Sequence, residues 1–150
     1  MNLSKQQIGR CGELLVQQKL LLHGIESAQM TTHSGIDLVA YSARKREALT
    51  IQVKTNWKAK PTGGKGKLAI DWWIPEKSPA DVFAFVQLER NRVWLIQSHE
   101  IPSLAQQHPR GRFHLCMYVD PAAVHRGEGK PLQDYEFEKY LLENQVHKIF

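Results

Sequence analysis

Four polar side chains interrupt stretches that are otherwise apolar: Glu13, Asp37, Gln52 and Lys54. Gln52 and Lys54 belong to the run I-Q-V-K-T, residues 51–55, which alternates as a strand does. Residues two apart on a strand share a face, so Gln52 and Lys54 share one and Ile51, Val53 and Thr55 the other. A solvated sheet face would explain that pair without any chemistry. Asp37 lies in G-I-D-L-V-A-Y, residues 35–41, on the face opposite Ile36 and Leu38. If the two strands pair in the right register, Asp37 meets Gln52 and Lys54, and a helix carrying Glu13 can add a fourth group. Two carboxylates and an amide oxygen are hard donors of the kind Mg²⁺ or Mn²⁺ takes. A lysine beside such an ion can orient or deprotonate water and stabilise charge on a phosphate. The set suits metal-assisted phosphodiester hydrolysis.

The elements that would position these groups can be read locally. Ser4 and Gln7 form a capping box, which predicts a helix running to about His23, where Gly24 can end it. Ile8, Cys11, Leu15 and Leu22 lie on one side of this helix, and Leu14, Val16, Leu20 and Leu21 widen the apolar arc. Only the sector around Arg10, Glu13 and Gln17 stays polar. Gly9 and Gly12 cost helix stability and are read as points of close approach to a sheet. Then I-E-S-A-Q-M-T-T predicts a short strand, and Ile36–Tyr41 with Leu49–Thr55 predicts a hairpin across a basic turn. Residues 57–68, W-K-A-K-P-T-G-G-K-G-K-L, read as a loop that lacks the phosphate-loop pattern. D-V-F-A-F-V-Q-L and R-V-W-L-I-Q are strands buried on both faces, and H-L-C-M-Y-V a sixth strand. Phe137, Tyr140 and Leu141 suggest a helix from Gln133 to about Gln145. The sum is one α/β domain over residues 1–150, a mixed sheet covered by at least one helix.

Charge is concentrated. The chain carries a net charge of +5. Residues 44–67 hold Arg44, Lys45, Arg46, Lys54, Lys58, Lys60, Lys65 and Lys67 against the single acid Glu47, so this segment is +7 and the rest of the chain −2. Such a cluster suits a polyanion, nucleic acid above all. Trp57 in the same segment can stack on a base. Of Trp72 and Trp73, one should pack in the core and the other face a partner, while Trp94 should be core. His33 stands four residues before Asp37 and could approach the site, although a surface position is the simpler reading. Two cysteines, Cys11 and Cys116, without metal spacing, and no apolar signal core point to a reducing, cytoplasmic setting. Cys11 reads as a small apolar residue of the first helix.

Glu13, G-I-D-L-V-A and I-Q-V-K-T, in that order, resemble the PD-(D/E)XK nuclease superfamily, the restriction-endonuclease-like fold. The resemblance spans Ser4 to Thr55. Ile36 replaces the proline of the pattern, and Gln52 stands where an acid is commoner; this D…Q-x-K form is similar to that of Mrr-type restriction nucleases. The resemblance implies a restriction-endonuclease-like mixed sheet flanked by helices and an Mg²⁺-dependent (or Mn²⁺-dependent) endonuclease acting on DNA, RNA not being excluded. Asp37, Gln52 and Glu13, with the Val53 carbonyl, would hold the metal and Lys54 would handle the water. It also implies a homodimer, since two strands need two sites. The rival expectation is a nuclease-like domain that binds nucleic acid or a protein without cutting, with Gln52 as its main support.

Overall fold

The computed structural model describes residues 2–32, 34–124 and 129–150; His33 lies outside them. Helix α1 spans Lys5–Leu22. Its capping box is present: Gln7 N donates to Ser4 Oγ at 3.2 Å and Ser4 N to Gln7 Oε1 at 2.8 Å. Gly24, at φ 78°, follows the end of the helix, as the sequence predicts. The buried stripe of α1 is narrower than the apolar pattern suggests. It consists of Gly12, Val16 and Leu20, while Leu14, Leu21, Leu22 and Cys11 are exposed.

The main sheet has the order β1-β2-β3-β6-β7. Its strands are β1 (Glu26–Gln29), β2 (Leu38–Ser42), β3 (Glu47–Asn56), β6 (Val82–Gln87) and β7 (Arg92–Gln97). All neighbours are antiparallel except β3 and β6, which run parallel. A second, antiparallel sheet has the order β4-β5-β8, formed by β4 (Lys60–Pro61), β5 (Leu68–Pro75) and β8 (Arg112–Tyr118). The short α2 (Ile101–Leu104) lies between β7 and β8.

Two findings correct the sequence reading. The segment read as a loop, residues 57–68, contains β4, which pairs Lys60 with Ala69, and its last residue opens β5, the strand that carries Trp72 and Trp73. The last helix is broken, with a 3₁₀ helix over Asp134–Tyr140 and α3 over Leu142–Ile149. Leu141 between them is extended (φ −52°, ψ 142°). The amides of Asn144 and Gln145 cap the carbonyls that the break exposes, donating to Glu138 O at 2.8 Å and Lys139 O at 2.7 Å.

Strand β6 is buried throughout because both its faces are covered. Val82, Ala84 and Val86 join Val16, Leu20, Ile51 and Val146 in a core under α1 and α3. Phe83 and Phe85 join Trp72, Trp94, Met117 and Phe137 in a core between the two sheets. Gly12 lets α1 lie directly on β3: a Cβ there would stand 1.9 Å from Thr55 Oγ1. Gly9 has open space around it and plays no such part. No helix among the described residues is long and apolar enough to cross a membrane.

Candidate active site

Strands β2 and β3 pair with Leu38 opposite Ile51. Asp37 N donates to Ile51 O at 2.9 Å, extending the ladder one residue past the strand. There the main-chain pairing of β2 stops, and the Asp37 side chain replaces it, Oδ2 accepting from Val53 N at 2.7 Å. Its Oδ1 makes no bond among the described residues. Asp37 is thus locked against β3 at the level of Gln52 and Lys54, half-buried as both of those are. Gln52 and Lys54 alternate with Ile51, Val53 and Thr55 and stand on the face that carries Phe83 and Phe85 in β6, beside the core between the sheets.

The electrostatics of Lys54 follow from that position. Burial pushes its ammonium below the ordinary lysine value, and the nearby Asp37 carboxylate pulls in the opposite direction without cancelling the effect. Gln52 Oε1 accepts a hydrogen bond from Ser78 Oγ at 3.2 Å, and Ser78 Oγ accepts from Ala80 N at the same distance. Sequence reasoning missed Ser78; the Ser-Pro step that ends its segment marks a fixed turn and nothing more specific.

Glu13 is placed differently. Helix α1 packs on the opposite face of β3, over Ile51, Val53 and Thr55. The Glu13 carboxylate accepts from Arg10 Nη1 at 2.8 Å and from Gln29 Nε2 at 3.3 Å. Gln29 is aligned with Leu38, so Glu13 reaches the Asp37 end of the sheet, but no described contact joins it to Asp37, Gln52 or Lys54. Among the described residues no three Asp, Glu, His or Cys side chains come together as a metal cluster. The oxygen donors at the site are one carboxylate and one amide, with the second carboxylate a strand away. These are hard donors, and they fit a divalent ion that keeps most of its waters.

The basic segment is split by the hairpin. Arg44, Lys45 and Arg46 sit at the turn, five strand positions from Asp37, or about 16 Å at the usual rise. Arg44 and Lys45 are engaged there: Arg44 Nη2 donates to His147 O at 2.8 Å, and Lys45 Nζ donates to Lys148 O at 3.2 Å and to Ile149 O. They cap the C-terminal end of α3, where unpaired carbonyls favour cations. Arg46 is exposed in a left-handed turn at φ 54°. Lys58, Lys60, Lys65 and Lys67 lie beyond the site end of β3 and are exposed, Lys67 bonding Ala122 O at 2.8 Å. Trp57 is 41% exposed beside them. Trp72 and Trp94 are core residues, while Trp73 is 39% exposed.

No family model matches the chain, and no curated protein matches it. Solved structures similar to it include two nucleases. The bacterial homing endonuclease I-Ssp6803I is 14% identical with a TM-score of 0.61, over 97% of this chain and 91% of that one. Hjc, a Holliday junction resolvase from the archaeal hyperthermophile Archaeoglobus fulgidus, is 16% identical with a TM-score of 0.52, over 83% of this chain and 98% of that one. Both are restriction-endonuclease-like nucleases, and the chain has their fold.

Proposed function

We propose that the chain is a metal-dependent endonuclease that hydrolyses phosphodiester bonds in DNA. One observation carries this reading: Asp37, Gln52 and Lys54 converge at the open end of the β2–β3 hairpin in a fold shared with two nucleases. Those neighbours are a homing endonuclease and a Holliday junction resolvase. Asp37, through its unbonded Oδ1, and the Gln52 amide oxygen would hold Mg²⁺ or Mn²⁺, with Glu13 adding negative charge from α1, where it meets Gln29 at the end of β1. The bound ion supplies an acidified water and neutralises charge on the phosphate.

The side chains do the rest. Burial destabilises the Lys54 ammonium, so more of Lys54 is the neutral amine than in an ordinary lysine, and that amine takes the proton from the attacking water. In its charged form it meets the phosphate. Lys58, Lys60 and Lys65 with Trp57 hold the DNA backbone on the side of the sheet where β3 ends. A second reading, a nuclease-like fold that binds without cutting, is favoured by one observation: Glu13 is already taken by Arg10 and Gln29, and Gln52 by Ser78.

Nicking of supercoiled plasmid with Mg²⁺ or Mn²⁺ separates the two. Asp37→Asn keeps an oxygen for Val53 N and removes only the charge, so it tests the metal without cutting the hairpin loose. Wild type should nick, and Asp37→Asn and Lys54→Met should fall by about 10²–10⁴-fold. Equal inertness of all three, with DNA binding retained, would leave the binding module.

A further inference from the structure

The three-stranded sheet has two unlike faces. Ile70, Trp72, Ile74, Leu115 and Met117 turn inward to Phe83, Phe85 and Trp94. The register puts Lys60, Asp71, Trp73, Arg112, His114 and Tyr118 on the outer face: Lys60 is aligned with Ala69, Ala69 with Tyr118, Trp73 with His114, and Pro75 with Arg112. Flat groups dominate this face. The rings of Trp73 and His114 stack at 4.2 Å with 10° between their planes. The Arg112 guanidinium lies over the Trp73 ring, 4.6 Å from its centroid. His114 Nε2 and Asp71 Oδ2 are 2.6 Å apart, which orients the imidazole and occupies the one carboxylate among these six residues. Beside them opens a cavity of about 510 Å³, walled by Asp71, Trp73, His114, Tyr118, Thr62 and Gln107. That is the size of an ordinary small-ligand site.

Cross-strand stacking alone would account for Trp73 and His114. It does not account for the cations. Lys60 and Arg112 stand on the face itself and are exposed, and Lys58 and Lys65 border it in the adjoining turns. A surface of stacked rings, a guanidinium plane and exposed lysines is complementary to a ligand that is both flat and polyanionic. Unpaired nucleotides are such a ligand, because aromatic and guanidinium planes take their bases while cations follow the backbone. A duplex keeps its base faces covered and cannot use the platform.

We propose that this outer face binds an unpaired segment of nucleic acid. One base enters the cavity beside Trp73 and His114, and its flanking phosphates meet Arg112 and Lys60. The proposal deepens the reading as a DNA enzyme and rests on it for the partner, since it assigns to the substrate a single-stranded or frayed stretch.

The test is fluorescence anisotropy in EDTA, where no cleavage intervenes, with a short labelled oligothymidylate and a duplex of equal length. Wild type should prefer the single strand. Trp73→Ala should weaken that binding about 10-fold and leave the duplex unchanged, while Trp73→Phe, which keeps a ring, stays near wild type. Arg112→Gln, an exposed change that does not threaten folding, should weaken single-strand binding and reduce its salt dependence by about one counterion. Equal affinity for the two DNAs, or single-strand binding indifferent to both Trp73→Ala and Arg112→Gln, would overturn the surface. Plasmid nicking by a protein with such indifferent binding would sink this surface alone. Trp73-dependent binding by a protein that nicks nothing would keep the surface and sink the nuclease.

Discussion

Lys54 is held between two opposing influences, and their balance can be measured. Burial disfavours its charge more than Asp37 favours it, so its folded-state pKa lies below the ordinary 10.5. The unfolded chain therefore binds more protons between the two values, and folding stability rises with pH across that window. Below the folded value the cost is present in full; above 10.5 it is gone. Lys54→Met should accordingly unfold at a higher temperature than wild type at neutral pH, with the gap closing as pH rises toward that of a free lysine. Thermal melts at a series of pH values check this. If Lys54 is the proton acceptor, the cleavage rate should also climb with pH through an inflection below the free-lysine value, and Lys54→Met should lack that inflection. A melting temperature unchanged by the substitution would show that the ammonium is fully solvated.

Helix α1 offers a test at the scale of the element. Its two glycines look alike in sequence and stand in different surroundings. Gly9→Ala adds a methyl into open space and removes the conformational cost of glycine, so it should stabilise by roughly 0.5–1 kcal/mol. Gly12→Ala drives a methyl into Thr55 and should destabilise by about 1–3 kcal/mol. Thr55→Ala in the same chain should recover part of that loss, since the two sites touch and their effects are not additive. Denaturant unfolding of the three variants measures it; equal effects at Gly9 and Gly12 would mean that α1 does not lie on β3 in this register. Thr55 Oγ1 is itself buried without a hydrogen-bond partner among the described residues, the mark of a contact set by packing.

Across the whole molecule, the positive segment that is continuous in sequence is two clusters in space. The hairpin carries Arg44 and Lys45 to the end of α3 and sends Lys58 and Lys60 past the site. Their substitutions should therefore separate. Arg44→Ala and Lys45→Ala should lower thermal stability and leave the salt dependence of DNA binding as it is. Lys58→Ala and Lys60→Ala should each reduce the slope of log K against log salt by about one and leave stability within about 0.5 kcal/mol. Titrations at several salt concentrations, paired with melts, read both. Equal slopes for all four variants would return Arg44 and Lys45 to the DNA surface.

The chain order by itself determined α1 with its capping box, the β2–β3 hairpin, the two doubly buried strands and the face shared by Gln52 and Lys54. These features rest on local spacing, on caps and on the two-residue period of a strand. The likeness to restriction-endonuclease-like nucleases was also legible there, from Glu13, Asp37, Gln52 and Lys54 in order. Other features depended on long-range pairing. Strand β5 carries no clear signal of its own after the glycine-lysine loop, and its partner β8 lies some 40 residues on. The last helix broke at Leu141 because that residue forms a bridge to Trp94, a contact no helical period encodes. Whether Gly9 or Gly12 met the sheet, and which cations stayed near the site, was likewise decided only when the strands paired. A strand carries its face in its own alternation, but its neighbours are set by the rest of the molecule.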